Sequence, residues 1–207
     1  MENKRDFDII IKRGLTSTLR NNENIIKAEE KAKTDGLTKL ENRMSYMEKA
    51  EELSQNGIPE SLTFTIADLY KLKKVNDILG HEKGDIYIKS CANALKEVFG
   101  KDEDTTIYRF GGDEFVILSL SDTEEQIKEK MKKANELLQA NIMKSGMAKE
   151  GYHFEINHGT SKPSKEITTL RELYTEADKK LYEDKQISHA KVEGNNINEK
   201  KETTLER

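Results

Sequence analysis

The sequence has few apolar residues and almost no cysteine. A single cysteine, Cys91, in 207 residues excludes an intramolecular disulfide and fits a reducing compartment. No run of about 18 apolar residues is present, and the N-terminus lacks the apolar stretch of a signal peptide. These absences predict a soluble cytoplasmic protein that does not partner a membrane.

Positive charge is not in excess either. The formal net charge is -4 at pH 7, so no overall field attracts nucleic acid, and none is expected as a partner. Apolar residues make up 34% of the chain and charged residues 36%, which a core of about 150 residues with polar arms would explain. A phosphate-containing ligand must then be held locally, by lysines, backbone N–H groups or metal ions.

The distribution of apolar residues divides the chain into three segments. Residues 1–33 are polar, with apolar residues at helical spacing, which predicts an N-terminal helical arm. Pairing of this arm with a second copy and a frayed, solvated helix are equally open interpretations. Residues 34–189 form a compact domain, and residues 190–207, which are charged and nearly devoid of large apolar side chains, are predicted to be disordered.

Within the compact domain, helical and strand patterns follow one another. Strands are predicted where apolar residues alternate or cluster, at 62–66, 106–110, 115–120 and 152–160. Helices are predicted at 40–53, 71–79, 86–99, 123–140 and 170–184. The first of these helices carries its expected inward face on Met44, Met47, Ala50 and Leu53. This order predicts an α+β fold, a central sheet with flanking helices.

Three carboxylates are predicted to meet at one edge of that sheet. Asp68 stands where an apolar strand ends, and Asp113 and Glu114 lie at the tip of a hairpin. Adjacent carboxylates repel unless a cation lies among them, and all-oxygen ligands favour Mg²⁺ or Mn²⁺. Such sites are typical of phosphoryl and nucleotidyl transfer, and Gly111 and Gly112 leave room for a triphosphate. For the tetrapeptide alone, a solvated surface turn is an equally good interpretation.

Five motifs in order, over about Thr34–Lys185, resemble the GGDEF family of diguanylate cyclases. They are Asp35–Arg43 (D-x-L-T-x-L-x-N-R), Asp68–Asp77 (D-x-x-x-F-K-x-I-N-D, with Leu72 for Phe), Gly80–Asp85 (G-H-x-x-G-D), Arg109–Phe115 (R-[YF]-G-G-D-E-F) and Ala177–Tyr182 (A-D-x-x-L-Y). The resemblance implies a GGDEF or nucleotidyl cyclase palm-like fold with a mostly antiparallel sheet, preceded by an N-terminal helix. It also implies a metal-dependent enzyme that joins two GTP molecules into cyclic di-GMP, releasing two pyrophosphates, at the interface of a homodimer.

The resemblance further implies roles for the residues that handle phosphate and metal. Asp68, the carbonyl of Leu69, Asp113 and Glu114 would bind Mg²⁺ or Mn²⁺. Asp113 would also activate the 3′-hydroxyl. Lys73 would stabilise the charge that develops on the phosphates.

Three further residues are implied to bind the GTP substrate. Asn76 and Asp85 would hydrogen-bond the guanine edge, and Lys185 would contact the triphosphate tail. An Asp carboxylate accepts the N1–H and 2-amino donors of guanine, which adenine does not offer. The structural alternatives are that Asp85 caps a helix beginning at Ile86 and that Asn76 forms an Asx turn.

Three residues and one segment depart from the family pattern. Tyr70 stands where a second acidic residue is usual, Asn157 where serine is usual, and His189 where arginine is common. Losing the arginine fork predicts weaker GTP binding. Residues 102–105 occupy the place of the R-x-x-D product-inhibition motif, and without its arginine we predict weak or no feedback inhibition by this route.

Three functions compete with the cyclase. The first is a catalytically weak or silent GTP-binding signalling module, which would usually lose carboxylates at the hairpin. The second is a cyclase with relaxed base choice, against which Asp85 argues. The third is a structural dimerisation domain, which would have no reason to keep Asn76, Asp85 and the three acids together.

Overall fold

A computed structural model describes residues 31–150 and 152–205. Contacts divide the chain between Thr34 and Asp35, and the elements below belong to the second unit. Its strands are β1 (Glu41–Asn42), β2 (Thr63–Leu69), β3 (Thr105–Gly111), β4 (Glu114–Ser119) and β5 (Ile156–Ser161). Its helices are α1 (Arg43–Asn56), α2 (Leu72–Leu79), α3 (His81–Phe99), α4 (Glu124–Lys144) and α5 (Leu170–Leu205), and a 3₁₀ turn spans Met147–Glu150.

The five strands form one sheet in the order β1-β3-β4-β2-β5. Only the short β1–β3 pair is parallel, and the other pairs are antiparallel. The predicted α+β fold with a mostly antiparallel sheet and flanking helices is therefore confirmed. Every residue of β2 is buried, because this strand lies between β4 and β5 and both faces of the sheet are covered.

Two apolar clusters cover the two faces of the sheet. On the α3/α4 face, helices α2, α3 and α4 pack their apolar residues against alternate strand residues such as Ala67, Leu69 and Ile117. On the α1/α5 face, α1 and α5 pack against the intervening residues, including Phe64 and Ile66. Because successive strand side chains point to opposite faces, Asp68 belongs to the α1/α5 face.

Helix α1 presents only the second half of the predicted apolar face to the core. Asn42 caps its N-terminus by accepting hydrogen bonds from the N–H groups of Met44 and Ser45. The side chains of Met44 and Met47 are 47% and 54% exposed, so the inward face predicted on them is wrong. Leu53, at the other end of the predicted face, is buried as expected. Tyr46, which lies outside that face, is also buried, because its ring packs edge to face against Tyr108 and Phe110.

Helices α2 and α3 meet at a single residue, Gly80. It has φ 86°, a left-handed conformation that glycine adopts without strain, and its N–H donates to the carbonyl of Asn76 at 3.0 Å. Helix α3 starts at His81 rather than at Ile86. Asp85 therefore lies inside the helix, and the alternative that it caps the N-terminus is wrong.

Helix α5 crosses strand β5 at Gly159. A β-carbon at this position would lie 2.0 Å from the carbonyl oxygen of Ala177, so only glycine allows the helix to approach this closely. The helix continues to Leu205, whereas disorder is predicted for residues 190–207. The segment lacks proline and is rich in Lys and Glu, which favour helix.

The N-terminal arm predicted over residues 1–33 lies almost entirely outside the described residues and stays a prediction. Among the residues that the structure describes, no helix has both the length and the apolar character needed to cross a bilayer.

Candidate active site

The hairpin between β3 and β4 presents its acidic residues on an open turn. Gly111 pairs with Glu114, and the register shifts between Arg109 and Gly111. Gly112 has φ 46°, and a β-carbon on either glycine would have no neighbour within 4 Å. The backbone of this turn is accordingly accessible to a bulky ligand, as the glycine pair predicts.

Arg109 holds the turn in place, a role that the sequence left unassigned. Its Nε and Nη2 atoms donate to the Gly112 carbonyl at 3.2 and 2.8 Å, and its Nη1 atom lies 3.0 Å from Asp35 Oδ1. Asp35 in turn accepts hydrogen bonds from the backbone N–H and hydroxyl of Thr38. The only sequence signal for this link is that Asp35 and Arg109 both belong to motifs of the family.

The structure places Asp68, Asp113 and Glu114 at the same edge of the sheet, where the end of β2 adjoins the hairpin. Asp68 and Glu114 are direct cross-strand partners, which places their β-carbons about 4.5–5.5 Å apart on one face. The N–H of Leu69 donates to the Asp113 carbonyl at 3.3 Å. The ends of β2 and of the hairpin are thus tied together by the backbone.

Asp68 is buried and carries an unusual pKa. Burial raises the pKa of Asp68 to about 6, the Lys185 ammonium opposes this rise, and the negative charges of Asp113 and Glu114 add to it. Lys185, on α5, lies 2.9 Å from Asp68 Oδ1. The lysine predicted to bind the triphosphate is therefore paired with a predicted metal ligand.

Polar contacts from β5 fix the segment of α5 that carries Lys185. The Nδ2 atom of Asn157 donates to Ser188 Oγ at 2.6 Å and to Asp184 Oδ2 at 3.4 Å. Asp184 Oδ2 also accepts the N–H of His158 at 2.9 Å. Asn157 is fully buried and is the register partner of Asp68. Its Oδ1 atom has no hydrogen-bond partner among the residues that the structure describes. In the sequence, Asn157 stands out only as a departure from the family pattern, and no local signal points to this anchor.

The donor set at this edge suits a hard cation that keeps other ligands. Within the described residues, no three His, Cys, Asp or Glu side chains are close enough to enclose a metal ion by themselves. Mg²⁺ usually binds through one or two carboxylates and completes its shell with waters and substrate phosphates. The pKa of Asp68, raised in part by the charges of Asp113 and Glu114, fits a site that binds such an ion.

The two predicted guanine contacts lie around the α2–α3 corner. Asn76 is half-buried, Asp85 is exposed on α3, and Lys73 is exposed on α2. Gly84, the residue before Asp85, lies directly against the Asn76 side chain. The structure thus brings Asn76 to the residue adjoining Asp85, while Lys73 makes no hydrogen bond or ion pair with the described residues.

Two of the departures from the family pattern contact each other. The hydroxyl of Tyr70 lies 3.5 Å from His189 Nδ1, and the two rings meet edge to face at 5.2 Å. Tyr70 is buried. The tyrosine and the histidine therefore form a local pair in place of a carboxylate and an arginine.

The place of the product-inhibition motif is occupied by an ion pair. Lys130 lies 2.6 Å from Asp102 Oδ2 and 2.6 Å from Asp122 Oδ1. Glu103 and Asp104 are exposed beside them. The predicted absence of product feedback by this route stays a prediction.

Comparisons with known proteins bear on the whole arrangement. Residues 32–191 match the family model described as "Diguanylate cyclase, GGDEF domain". "Probable diguanylate cyclase DgcJ" of Escherichia coli (strain K12) is 30% identical over 165 residues, covering 76% of this chain and 30% of that protein. "Probable diguanylate cyclase DgcI" of the same strain is 30% identical over 164 residues, covering 76% and 32%. The chain spans about a third of the length of these curated relatives.

A solved structure has the same fold. The coiled coil and GGDEF domain of DgcB from Caulobacter crescentus, in complex with c-di-GMP, aligns with a TM-score of 0.70 and 17% identity over 87% of this chain and 94% of that one. This likeness confirms the predicted GGDEF fold. Together with the family match over residues 32–191, it establishes that the chain belongs to the GGDEF family of diguanylate cyclase domains.

Proposed function

We propose that the chain is a diguanylate cyclase, which condenses two GTP molecules into cyclic di-GMP and releases two pyrophosphates. One observation carries the proposal: the cross-strand pair of Asp68 and Glu114, with Asp113 beside it on the turn. The charges of Asp113 and Glu114 raise the pKa of the buried Asp68 and so disfavour its ionised form. A module without activity would gain nothing from keeping three such carboxylates together. Family membership supports the same reaction.

In this proposal, Asp68, the Leu69 carbonyl, Asp113 and Glu114 hold Mg²⁺ or Mn²⁺. When bound, the metal neutralises charge on the transferring phosphoryl group and lowers the pKa of the attacking 3′-hydroxyl. Asp113 accepts the proton of that hydroxyl. Its place on the turn, with its carbonyl bound to the N–H of Leu69, holds it near the reacting group.

Two lysines serve the phosphates in this scheme. Lys185 is paired with Asp68, and its side chain is 34% exposed, so its ammonium would also be available to the triphosphate tail. Lys73 is exposed and free to stabilise charge on the phosphates as it develops. Asn76 and Asp85 bind the guanine edge. The Asp85 carboxylate can only accept hydrogen bonds, so it favours guanine, whose N1–H and 2-amino group donate, over adenine, which lacks these donors.

The reaction requires two protomers. Each GTP supplies a hydroxyl to the α-phosphate of the other, and orienting the two can contribute an effective molarity up to about 10⁵–10⁸ M. The N-terminal arm would raise the local concentration of the second protomer. In support, the similar DgcB structure includes a coiled coil along with its GGDEF domain. The proposed location is the cytoplasm, which suits a single reduced cysteine.

A catalytically weak or silent GTP-binding module is the second candidate. The Tyr70–His189 pair favours it, since these residues replace a carboxylate and an arginine that would otherwise serve metal and phosphate. The two candidates differ in product and not in nucleotide binding. Only turnover separates them.

The test is to incubate the purified full chain with GTP and Mg²⁺ and to quantify cyclic di-GMP by chromatography and mass spectrometry. We expect product from the unmutated protein, none from Asp113→Ala, and loss of product when EDTA removes the metal. Glu97→Gln, which removes an exposed carboxyl from α3, is the matched control and should retain activity. Bound guanine nucleotide without cyclic product would favour the silent module.

A further inference from the structure

Gly84 on helix α3 lies against the side chain of Asn76 on α2. A β-carbon at Gly84 would lie 1.7 Å from Oδ1 and 2.8 Å from Cγ of Asn76, so any side chain there must displace the Asn76 amide. The Oδ1 atom is buried and lacks a hydrogen-bond partner in the described part of the chain. A buried, unpaired amide oxygen costs free energy, and its position therefore calls for an explanation.

Neither the backbone nor a helix cap requires glycine at position 84. Its φ is not in the left-handed region, and the junction between α2 and α3 is made by Gly80. Glycine is also a poorer helix former than alanine. Local preference therefore disfavours Gly84, and the close approach of the Asn76 amide is the feature that needs it.

The corner between the two helices creates this approach. Gly80 donates its N–H to the carbonyl of Asn76 at 3.0 Å, and its own carbonyl accepts the N–H of Gly84 at 3.3 Å. Asn76 and Gly84 thus stand four residues before and four residues after the turning point. Asp85 follows at once and is exposed.

We propose that Gly84 is a positioning residue for base recognition. By lacking a side chain, it holds the Asn76 amide against α3, beside the residue that carries the Asp85 carboxylate. This inference rests on the proposed function, in which Asn76 and Asp85 bind guanine. A methyl group at position 84 would move the amide and not the backbone, because Oδ1 is the far end of a side chain with two rotatable bonds.

The test is the Gly84→Ala substitution in the full chain. Binding of 3′-deoxy-GTP, which keeps the base and triphosphate but lacks the attacking hydroxyl, is measured by calorimetry with Mg²⁺. We expect Kd to rise about tenfold, the loss typical of a misplaced hydrogen bond, and the preference over 3′-deoxy-ATP to shrink. The melting temperature should stay equal or rise, because alanine favours helix. Asn93→Ala, an exposed change on the same helix that also favours helix, should leave Kd unchanged.

The double variant Asn76→Ala/Gly84→Ala separates a positioning role of Gly84 from a purely structural one, through the Kd for 3′-deoxy-GTP. Asn76→Ala alone should raise Kd for 3′-deoxy-GTP. Adding Gly84→Ala to Asn76→Ala should raise it no further, because no amide remains to be displaced.

Several results would overturn the inference. One is an unchanged Kd in Gly84→Ala beside a raised Kd in Asn76→Ala, and another is additive losses in the double variant. A melting temperature lowered by more than a few degrees in Gly84→Ala would also do so, since the methyl would then not be accommodated by the amide. If Asn76→Ala binds normally, the guanine contact and this inference fail together, while cyclic di-GMP formation tests the proposed reaction separately.

Discussion

The two faces of the sheet are built for different tasks. The α3/α4 face is covered by three helices whose contacts with the sheet are closely packed and apolar, with residues such as Leu95, Ile127 and Leu138 fully buried. The α1/α5 face has a smaller cluster held by aromatic edge contacts, with Tyr46 meeting Tyr108 at 5.6 Å and Phe110 at 5.3 Å. The α1/α5 face is the one on which Asp68 and its cross-strand partner Glu114 lie.

The polar end of the α1/α5 face explains this division. Here Asp68 and Asn157 are buried beneath α5, where Lys185, Ser188 and Asp184 meet them. Buried polar groups weaken a core unless they are paired. A protein can tolerate them on one face when the other face supplies the apolar packing. The difference predicts that substitutions on the two faces separate activity from stability.

The largest effect is expected from Asp68→Asn on the α1/α5 face. Under the proposed function, removing this carboxylate should lower the rate of cyclic di-GMP formation on the order of 10³-fold, because it takes away charge that would hold the metal and order the phosphates. The fold should persist, since asparagine is nearly isosteric with aspartate. The Lys185 ammonium, which loses its partner, lies on a side chain that is 34% exposed and can therefore be solvated. Product assays with circular dichroism check both points. Near-normal turnover would contradict the assignment.

The next effect is expected from Leu138→Ala on the α3/α4 face. Leu138 is fully buried on α4, and truncating it should lower the free energy of unfolding by about 2–5 kcal/mol. Activity per folded molecule should not change. Urea unfolding measures the loss, and Lys132→Ala, exposed on the same helix, is the control. A loss below about 1 kcal/mol, within the range of a surface change, would mean that this face is not the stabilising one.

A smaller effect is expected from Asp35→Asn, which removes the ion pair of Asp35 with Arg109 behind the hairpin turn. Burial alone would raise the pKa of Asp35, but hydrogen bonds from Thr38 and the Arg109 guanidinium hold it below its usual value of 3.8. A lowered carboxyl pKa stabilises the fold above pH 3.8, and this contribution is lost as the pH falls below that value. Asp35→Asn should therefore melt at a lower temperature than the unmutated protein at pH 7.

Thermal melts from pH 7 down to pH 3 test this pH dependence. The difference between Asp35→Asn and the unmutated protein should shrink as the pH falls below 3.8, because the carboxyl then takes up a proton more readily in the unfolded state than in the folded state. Glu97→Gln supplies the control, since its exposed carboxyl has no such partners. A difference that stays constant across this range would show that the Arg109 ion pair does not stabilise the fold.

The smallest effect is expected from thiol labelling of Cys91. This residue is fully buried in the α3/α4 cluster, and burial raises the pKa of its thiol. In native buffer a disulfide reagent should therefore not react, and labelling should begin only when urea opens this face. Because Cys91 is the single cysteine, the signal has no other source. Complete labelling of the native protein would mean that the α3/α4 face is loosely packed.

Much of the candidate site could be predicted from the sequence because its signals are local. Gly111 and Gly112 mark a turn, Asp113 and Glu114 follow at fixed spacing, and alternating apolar residues place Asp68 at a strand end. The motifs around them imply a family. Helix faces were harder: Met44 and Met47 fit an inward stripe but are exposed, because the Asn42 cap and aromatic packing decide which way α1 turns.

By itself, the sequence determined four of the five strands, the order of the five helices, the hairpin and the chemical nature of its acids, since each depends on neighbours a few residues apart. It did not reveal β1 (Glu41–Asn42), which lies within the segment predicted as the first helix and forms by pairing with β3. Only the tertiary structure decided which distant groups meet. It joins Arg109 to Asp35, Lys185 to Asp68, and Tyr70 to His189. It also brings Gly84 against Asn76. These pairings depend on how helices and strands pack across the chain, which spacing within a single segment does not encode.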